Sequence, residues 1–484
     1  MNLKNESKNK QKKESRSAII RPYKIVSYIS VALFLGLISY MIWFQVVKSE
    51  ELLNSPLNKR QDEVEAQVIR GSILAADGTP LAVTVTDDYG EQYRQYPFGA
   101  LFAQTVGYGV YGGSGLESSH NNDLIHSHMS LVNQVQNELS EEKKPGDDLV
   151  TTLHTDLQQA AWEALSGYYG TAVVMEADTG NVLANVSSPA FDPNTVVEDW
   201  EWLTQSENGI FMNRAMQGLY PPGSTFKIIT ALAYYRQYGT FDDFYYECAG
   251  TYEHAGFTIH CANDHVHGGE TIADAMANSC NCAFASMVVE KIDKNILRKT
   301  AEDFGFNKEI AADLPFIESV FELDGNTADQ LAMQTAIGQG DTLATPMLMC
   351  MIAQSAANNG KMLVPNFVDR IQSADGKTVK KFSASTFGQV MSEQEAMIIT
   401  ELLRGVVQRG TATDLADLPY DVVGKTGTAE YGDISAGTAH SWFIGYSNTG
   451  QRDIVVSVLV EDGGNGYWSG TQVARQIFQT WFGY

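Results

Sequence analysis

A serine and a lysine stand three residues apart, where a Pro-Pro-Gly turn breaks into an apolar helical run. The turn ends at Gly223, and Ser224 and Lys227 follow it. Unpaired amides and the helix dipole at such an N-terminus favour negative charge near the serine oxygen. A serine is a weak nucleophile until a base takes its proton, and a lysine desolvated by aromatic neighbours can be that base. The pair predicts a nucleophilic serine, although Ser-x-x-Lys also arises by chance, as at Ser7 and Lys10.

A hydroxyl and an amide two residues apart come 55 residues after Ser224. Ser279 and Asn281 flank Cys280, and they can face one cleft if they lie on a short loop. The same Ser-x-Asn pattern begins at Ser7, Ser119 and Ser206. The pattern is therefore weak alone, but an apolar helical run follows Asn281 directly and could position the loop.

A lysine and two threonines on an apolar strand form the third group. Lys425-Thr-Gly-Thr428 follows a Val-Val-Gly run, and Lys-Thr-Gly occurs once in the chain. The pattern predicts an edge strand with Lys425 and the hydroxyls of Thr426 and Thr428 on the cleft side. Gly427 would permit close approach of a second backbone. Lys425 alone could be a solvated strand charge, but the three groups in this order indicate a catalytic cleft.

The first 47 residues differ in composition from the rest of the chain. Residues 1–24 carry eight Lys or Arg against two Glu, and residues 25–47 carry no formal charge. A helix of this second length is about 34 Å long, enough to span a bilayer. The basic flank and the lack of a small-x-small cleavage pattern predict an uncleaved single-pass membrane anchor. The N-terminus is then cytoplasmic and residues 48–484 lie outside the cell.

Net charge restricts the partners of the remainder. The whole chain of 484 residues carries −25 although its first 24 residues are basic. Residues 48–484 are therefore strongly acidic and would repel phosphates, so we expect no nucleic-acid partner.

Periodicity predicts two parts after the anchor. Residues 48–148 show little helical periodicity and are expected to form a small non-catalytic module, with a hairpin around Asp77-Gly78. Residues 149–484 form the catalytic part, with strands at 171–176 and 182–186, at 441–446 and 454–461, and at Lys425. A mostly helical middle separates them. The expected fold class is α/β (α+β), an antiparallel sheet built from sequence-distant segments and flanked by helices.

Five cysteines complete the chemical inventory. Outside the membrane a disulfide is permitted, and Cys248 with Cys261 is the plausible pair. Four histidines lie in the same stretch: His254, His260, His265 and His267. Their spacing fits no standard zinc finger, so we expect no metal. Cys350 falls in an apolar helical run and is expected in the core.

The three motifs together resemble the active-site set of penicillin-binding proteins and serine β-lactamases. The resemblance to class B penicillin-binding proteins covers nearly everything after the anchor. It rests on further landmarks: Arg70-Gly71, Gly115-Leu-Glu117, Asn213-Arg-Ala215, Ile337-Gly-Gln-Gly340, Thr345-Pro346 and Trp442-Phe-Ile-Gly-Tyr446. It implies a penicillin-binding transpeptidase domain preceded by a dimerisation or pedestal-like module.

The resemblance also implies a role for each motif residue. Ser224 would attack a D-Ala-D-Ala stem peptide and form an acyl-enzyme, with Lys227 as proton acceptor. Ser279 would relay the proton to the leaving amine, and Lys425 would hold that hydroxyl by hydrogen bonding and charge. Asn281 would bind a substrate amide.

Substrate binding and partners follow from the same resemblance. Thr426, Gly427 and Thr428 would hold the substrate carboxylate, and the amides of Ser224 and Thr428 would form the oxyanion hole. No metal or organic cofactor is expected. The partners would be peptidoglycan stem peptides of the lipid II polymer, β-lactam antibiotics, and a polytopic lipid II polymerase in the membrane.

Three other functions stay open at the level of sequence. A D,D-carboxypeptidase would use identical catalytic residues and differ only in the acceptor. A β-lactamase would hydrolyse its acyl-enzyme, but the Glu-x-x-Leu-Asn string of class A enzymes is absent between Asn281 and Lys425. A wall-assembly scaffold or β-lactam sensor would be non-enzymatic, which the intact motifs argue against.

Overall fold

The computed structural model describes residues 2–47, 68–130, 143–431, 438–463 and 467–484. Side chains are described from residue 22 to 45 of the first range and from residue 470 of the last. The rest of the predicted N-terminal module, residues 48–67 and 131–142, lies outside the described residues. Contacts divide the chain into two units, Met1–Arg60 and Gln61–Tyr484.

The first unit contains one long helix, Asn2–Val47. Within it, Pro22–Gln45 is long and apolar enough to cross a membrane, with a mean hydropathy of 2.2. The predicted anchor at residues 25–47 lies almost wholly in this segment. Its side chains from Tyr23 to Phe44 are exposed in the protein, as those of a helix surrounded by lipid would be.

The second unit mixes helices and strands. The α-helices are Ala103–Val106, Gly115–Ser119, Asn121–Ile125, Thr155–Ala164, Val196–Gln205, Arg214–Gln217, Lys227–Tyr238, Ile272–Ala277, Asn281–Glu290, Lys294–Asp303, Asp329–Ala336, Pro346–Ala357, Glu393–Arg409 and Tyr467–Phe482. The strands are Val68–Ile69, Ile73–Leu74, Pro80–Thr86, Gln92–Gln95, Lys144–Pro145, Asp148–Thr151, Gly170–Glu176, Val182–Ser188, Tyr246–Cys248, Thr251–His254, Phe257–His260, Gly268–Glu270, Lys361–Leu363, Val368–Gln372, Thr378–Lys381, Thr386–Gln389, Val422–Glu430, Ala439–Ser447 and Ile454–Val460.

A five-stranded antiparallel sheet, here the central sheet, organises the second unit. Its order is Val422–Glu430, Ala439–Ser447, Ile454–Val460, Gly170–Glu176 and Val182–Ser188. The strands come from both ends of the sequence, as the alternating apolar runs predict. The strand with Lys-Thr-Gly lies at one edge, so the predicted edge strand is confirmed. The predicted fold class is confirmed as well.

Helices cover both faces of the central sheet. Every residue of strand Ile454–Val460 is buried, and successive side chains of a strand point to opposite faces. Helices Pro346–Ala357 and Glu393–Arg409 pack together against the sheet, and helices Thr155–Ala164 and Tyr467–Phe482 form a second packed pair on it. The sheet therefore forms the middle layer of three.

Two helices of the catalytic part begin at side chains that cap their first turn. The Ser392 hydroxyl accepts from the Glu395 amide while the Glu395 carboxylate accepts from the Ser392 amide, a reciprocal capping box. Thr345 caps helix Pro346–Ala357, whose first residue is the proline. Both helices therefore begin at the residue after their cap.

A second, six-stranded sheet joins the N-terminal part to the catalytic part. Its order is Thr378–Lys381, Val368–Gln372, Asp148–Thr151, Ile73–Leu74, Pro80–Thr86 and Gln92–Gln95. Strands Ile73–Leu74 and Pro80–Thr86 form the hairpin predicted around Asp77-Gly78. Because this sheet takes strands from both sides of residue 148, the division into 48–148 and 149–484 stays a prediction.

Eight short strands interrupt the middle region, which the sequence predicts as mostly helical, and the first four of them lie close to the Ser-x-Asn motif. Tyr246–Cys248 pairs with Gly268–Glu270, and Thr251–His254 pairs with Phe257–His260. Each of these four has only three or four residues, which is too short for an alternating pattern to identify a strand. They bring Cys248, Cys261 and His267 to the turn that precedes Asn281.

Candidate active site

The serine turn is held against the edge strand by contacts that need glycine. Residues Gly223–Phe226 form one 3₁₀ turn, and the α-helix begins at Lys227. Gly223 has φ +54°, and a Cβ atom there would lie 2.4 Å from the Thr428 carbonyl oxygen. On the adjacent strand, Trp442 Nε1 donates to the Pro221 carbonyl at 3.0 Å. These contacts place Ser224, half-buried, beside the strand that carries Lys425.

Lys227 is the hub of the site. Its Nζ lies 3.0 Å from Ser224 Oγ, 2.7 Å from the Ser279 carbonyl oxygen, 3.2 Å from Ser279 Oγ and 2.7 Å from Asn281 Oδ1. The Phe284 ring centroid lies 5.5 Å away. The side chain is fully buried, and this burial lowers the pKa of Lys227 to about 8, against a pull upward from neighbouring thiols and Glu270. An amine with such a pKa has a useful neutral fraction near neutral pH and can accept a proton.

Ser279 and Asn281 reach the hub from a tight turn between two helices. Helix Ile272–Ala277 ends just before it and helix Asn281–Glu290 begins at its end, so the two residues meet the condition of a short loop that the motif requires. Ser279 has φ +57°, a left-handed conformation that costs free energy for a residue other than glycine. Asn281 Nδ2 donates to the His260 carbonyl at 2.9 Å. The amide of Asn281 is therefore fixed from both ends, by Lys227 and by a neighbouring strand.

Lys425 is the second buried cation of the cleft. It is fully buried, and burial followed by the charge of Lys227 holds the pKa of Lys425 well below its usual range. Its Nζ donates to the Thr426 carbonyl at 3.1 Å. Among the described residues no hydrogen bond joins it to Ser279, in contrast to the arrangement that the sequence resemblance implies. Ser279 instead directs both its oxygens toward Lys227.

The residues after Lys425 line the edge of the cleft. Thr426 Oγ1 lies 2.5 Å from Thr411 Oγ1, a contact that sequence reasoning did not identify. A Cβ atom on Gly427 would lie 3.1 Å from Thr225 Cγ2 and 3.2 Å from the Pro222 carbonyl oxygen. Thr428 is exposed. The strand thus approaches the serine turn as closely as the glycine allows, and the oxyanion role of the Ser224 and Thr428 amides stays a prediction.

The structure gathers four cysteines behind this site. Cys261 Sγ lies 3.7 Å from Cys248 Sγ, 3.7 Å from Cys280 Sγ and 3.4 Å from Cys282 Sγ. All are free thiols, so the disulfide predicted between Cys248 and Cys261 is not formed in the structure. The reason is that Cys261 packs among three other sulfur atoms rather than against one partner. Cys350 is buried in its helix, as predicted.

A potential ligand set within this cluster escaped sequence reasoning. Cys248, Cys261, His267 and Cys280 have ligand atoms within 4.8 Å of one another. In the sequence Cys280 stands inside the Ser-x-Asn motif, outside the histidine-rich stretch whose spacing fits no zinc finger. Nothing in the linear pattern shows that the short strands bring these residues together.

Comparison with known proteins agrees with the geometry. The penicillin binding protein transpeptidase domain family matches residues 170–481, and the penicillin binding protein A dimerisation domain family matches residues 70–149. The chain is 30% identical over 451 residues to peptidoglycan D,D-transpeptidase PbpA of Mycolicibacterium smegmatis, covering 87% of this chain and 89% of that protein.

Solved structures resemble the fold over most of the chain. Penicillin-binding protein A from M. tuberculosis, as an imipenem acyl-enzyme complex, gives a TM-score of 0.79 at 26% identity, covering 87% of this chain and 100% of that one. The D,D-transpeptidase domain of a peptidoglycan glycosyltransferase from Eggerthella lenta gives 0.77 at 31% identity, covering 86% and 99%. With the motifs assembled around Lys227 and two family matches along the chain, this protein belongs to the class B penicillin-binding proteins.

Proposed function

We propose that this chain is a peptidoglycan D,D-transpeptidase that cross-links D-Ala-D-Ala stem peptides through a serine acyl-enzyme. The observation that supports it most directly is the position of Lys227 Nζ, 3.0 Å from Ser224 Oγ in a fully buried setting. Lys227 takes the hydroxyl proton while Ser224 Oγ bonds to the penultimate D-Ala carbonyl carbon. The peptide C–N bond then breaks, and the terminal D-Ala leaves as an amine.

The leaving amine needs a proton, and Ser279 is placed to pass it on. Its hydroxyl lies 3.2 Å from Lys227 Nζ, so a proton can move from Lys227 through Ser279 to the amine. Asn281 holds Lys227 by its Oδ1 and has a second lone pair on that oxygen for a substrate amide. The acceptor amine of a neighbouring stem then attacks the ester and restores Ser224, with the proton path reversed.

An amine and hydroxyls on the edge strand bind the other end of the substrate. Lys425 is the amine, and a carboxylate beside it favours its protonated form, while Thr426 and Thr428, with close access past Gly427, hold that terminal carboxylate. The amides of Ser224 and Thr428 stabilise the oxyanion, at a few kcal/mol per donor. A β-lactam carboxylate and carbonyl fit the same positions, so such antibiotics acylate Ser224.

The proposed setting is the outer face of a cell membrane. Residues 1–24 form a cytoplasmic tail, residues 25–47 the single anchor, residues 48–148 a non-catalytic module and residues 149–484 the catalytic domain. A polytopic lipid II polymerase, meeting the anchor and module, would supply the polymer. Digestion of intact spheroplasts should remove the catalytic domain and spare a tag at residue 1. Protection of the catalytic domain would contradict this orientation.

Labelling with a fluorescent penicillin tests the enzymatic proposal. Full-length protein in detergent should form a stable covalent adduct that is lost in Ser224→Ala. Ser279→Ala should slow labelling strongly, while Ser206→Ala, at a half-buried site in another Ser-x-Asn pattern, should label like the parent. Rapid hydrolysis of the adduct would indicate a β-lactamase instead. Release of D-Ala from stem peptides without cross-linked product would indicate a carboxypeptidase.

A further inference from the structure

Residues 337–340, here the Gly-Gln-Gly loop, form a sequence landmark that the proposed reaction does not use. The loop lies against both elements that carry the proposed oxyanion donors, the serine turn with Ser224 and the edge strand with Thr428. Gly338 contacts the serine turn, and Gln339 contacts the edge strand. One short loop therefore meets both sides of the oxyanion site.

Backbone contacts hold the loop against the serine turn. The Gly223 amide donates to the Gly338 carbonyl at 2.9 Å. Gly338 has φ +71°, and a Cβ atom there would lie 2.2 Å from the Gly223 carbonyl oxygen. A Cβ atom on Gly223 would in turn lie 2.4 Å from the Thr428 carbonyl oxygen. Loop, turn and strand are thus stacked in that order, as closely as two glycines allow.

The Gln339 side chain reaches past the turn to the end of the strand. In the orientation that satisfies both of its polar groups, its carboxamide donates to the Glu430 carbonyl and accepts from the Glu430 amide, each at 3.1 Å. Glu430 is the last residue of strand Val422–Glu430, at the edge of the central sheet. A residue of a neighbouring antiparallel strand would make the same pair of hydrogen bonds. Gln339 therefore takes the place of an additional strand at this one position.

The alternation of the strand connects Glu430 with the oxyanion position. Successive residues of an edge strand direct their N–H and C=O groups alternately to the neighbouring strand and to the outer edge. The Thr428 carbonyl faces Gly223 and the Glu430 groups face Gln339. The Thr428 amide thus points to the same outer edge, two peptide units from the Gln339 contact. A shift of Glu430 would move the Thr428 amide with it.

We infer that Gln339 is a positioning residue that sets the separation of the Ser224 and Thr428 amides in the oxyanion hole. The inference rests on the proposed function, in which these two amides stabilise the oxyanion. Such donors are effective when they lie about 2.7–3.1 Å from the position that the oxyanion will occupy. Gly338 fixes the serine-turn side of that gap, and Gln339 fixes the strand side. Gln339 acts through the strand backbone and not on the reacting atoms.

Gln339→Met tests the role because methionine has a similar length but cannot make the two hydrogen bonds. In full-length protein in detergent, acylation by an ester analogue of a D-Ala-D-Ala peptide should slow about tenfold. The loss should fall on the acylation rate constant and leave the dissociation constant of the preceding noncovalent complex within about twofold, because the oxyanion forms only in the transition state. A parental acylation rate, or a loss confined to noncovalent binding, would overturn the inference.

Gln237→Met is the matched control. Gln237 is half-buried like Gln339, and its carboxamide donates to the Lys291 carbonyl and accepts from the Asp293 amide, each at 2.8 Å. The substitution therefore removes the same kinds of hydrogen bond at the far end of the helix that begins at Lys227. It should leave the acylation rate at the parental value. Similar slowing in both variants would overturn a specific role for Gln339.

A thionoester analogue separates oxyanion positioning from a general structural role. Sulfur accepts hydrogen bonds more weakly than oxygen, so the parent should react faster with the oxygen ester than with the thionoester. Gln339→Met should reduce that preference at least about threefold, and Gln237→Met should retain it. Equal slowing of both esters in Gln339→Met would overturn the inference, because it would indicate a disturbance that does not involve the oxyanion.

Hydrogen exchange tests the contact of Gln339 with the strand independently of the reaction. Mass spectrometry of peptides spanning residues 424–431 should show faster exchange of the Glu430 amide in Gln339→Met and parental exchange in Gln237→Met. Parental exchange in Gln339→Met would overturn the inference. If exchange is faster but the parent reacts with neither penicillin nor the ester, the proposed function fails, and the oxyanion role fails with it while the contact stands.

Discussion

Glu117 in the N-terminal part and Lys227 in the catalytic cleft are both buried ionisable groups, at 1% and 0% exposure, but their surroundings are opposite. Glu117 accepts from Arg70 Nε and Arg94 Nε, each at 2.7 Å. Burial by itself would raise the pKa of Glu117, but the two guanidinium groups overcome it and hold that pKa below its usual value. Lys227 forms no ion pair among the described residues, and burial lowers its pKa to about 8.

The contrast separates a charge that holds the fold from one that does chemistry. The Arg70–Glu117–Arg94 group, here the ion triad, stays ionised because every charge has a partner, and it links three segments of the N-terminal part. Lys227 is surrounded by two hydroxyls, a carbonyl and an amide, which hydrogen-bond to the amine without fixing its charge. An amine in that setting can lose and regain a proton during a reaction.

The largest expected effect is on activity, from removing the Lys227 amine. Lys227→Met keeps an unbranched apolar side chain but no base, so the rate of penicillin acylation should fall by about 10²–10⁴-fold. Stability should be unchanged or greater, because the substitution removes a buried cation that has no counter-ion. Acylation is measured by stopped-flow and stability by thermal unfolding.

Lys361→Ala is the matched control for that substitution. Lys361 is exposed at the start of a strand, so its loss should change neither acylation nor stability. A Lys227→Met protein that acylates at the parental rate would show that another group is the base. One that unfolds much earlier than the parent would show that Lys227 is a structural charge like Glu117.

The second-largest effect is expected at the ion triad, where a substitution should lower stability and leave the acylation rate almost unchanged. Glu117→Gln leaves two arginines beside a neutral amide, and breaking a buried charge pair in this way costs about 3–5 kcal/mol. The acylation rate of the folded fraction should stay within about twofold of the parent, since the triad's hydrogen bonds and ion pairs in the described part of the chain lie within the N-terminal part. Glu198→Gln, at an exposed helix position, should leave the unfolding free energy unchanged. Equal unfolding free energies for the two variants would refute the structural role of the triad.

The sequence predicts contacts between residues that are close in the chain better than contacts between residues that are far apart in it. Ser224 and Lys227 meet because one helical turn separates them, and the central sheet follows from strands whose apolar residues alternate. The partner of Glu117 is Arg70, distant in sequence, and no periodicity links them. Gly115 and Gly71 near the same triad have Cβ positions blocked by backbone atoms, a packing constraint invisible in a string of residues.

The cysteine cluster shows the same limit inside the catalytic domain. Cys280 carries no signal of its own between Ser279 and Asn281, and the short strands that bring Cys248 to it are too brief to predict. Lys425 lies on the expected strand, but its hydrogen bond to the carbonyl of Thr426 depends on a side-chain conformation that sequence does not encode. Motif order thus predicts which residues share a site, and not how they contact each other.

The third effect is a pH dependence of the acylation rate, which should depend on Lys227 in the cleft and not on Glu117 in the ion triad. Acylation requires neutral Lys227, whose pKa of about 8 lies below the usual value of 10.5. Below that pKa the neutral fraction rises about tenfold per pH unit, so the acylation rate should climb with pH and level off above about 8. In Glu117→Gln the midpoint should stay unchanged, because the Glu117 carboxylate does not titrate in this range. A rate that is flat or falls between about pH 6 and pH 8 would exclude Lys227 as the base.

The contribution of the ion triad to stability should instead depend on pH in the acidic range. The folded-state pKa of Glu117 lies below its usual value of 4.5, so its contribution to stability is complete above that value. The contribution is lost as the pH falls through the lower, folded-state pKa. Unfolding free energy of the parent should therefore drop on acidification more steeply than that of Glu117→Gln. Parallel pH curves for the two proteins would contradict a charged Glu117 in the fold.

The smallest effect concerns Thr426, at the edge of the cleft rather than at its hub. Its hydroxyl contacts Thr411 Oγ1 at 2.5 Å, and in the proposed reaction it binds the substrate carboxylate. Thr426→Ala removes one hydrogen bond worth about 0.5–1.5 kcal/mol, so the KM for a D-Ala-D-Ala peptide should rise by roughly two- to tenfold with little change in kcat. Thr426→Ser should restore binding because it keeps the hydroxyl. Thr411→Ala should raise KM less than Thr426→Ala does, since Thr411 only orients the Thr426 hydroxyl. A Thr426→Ala protein with lower kcat and unchanged KM would instead indicate that Thr426, like Lys227, takes part in proton transfer.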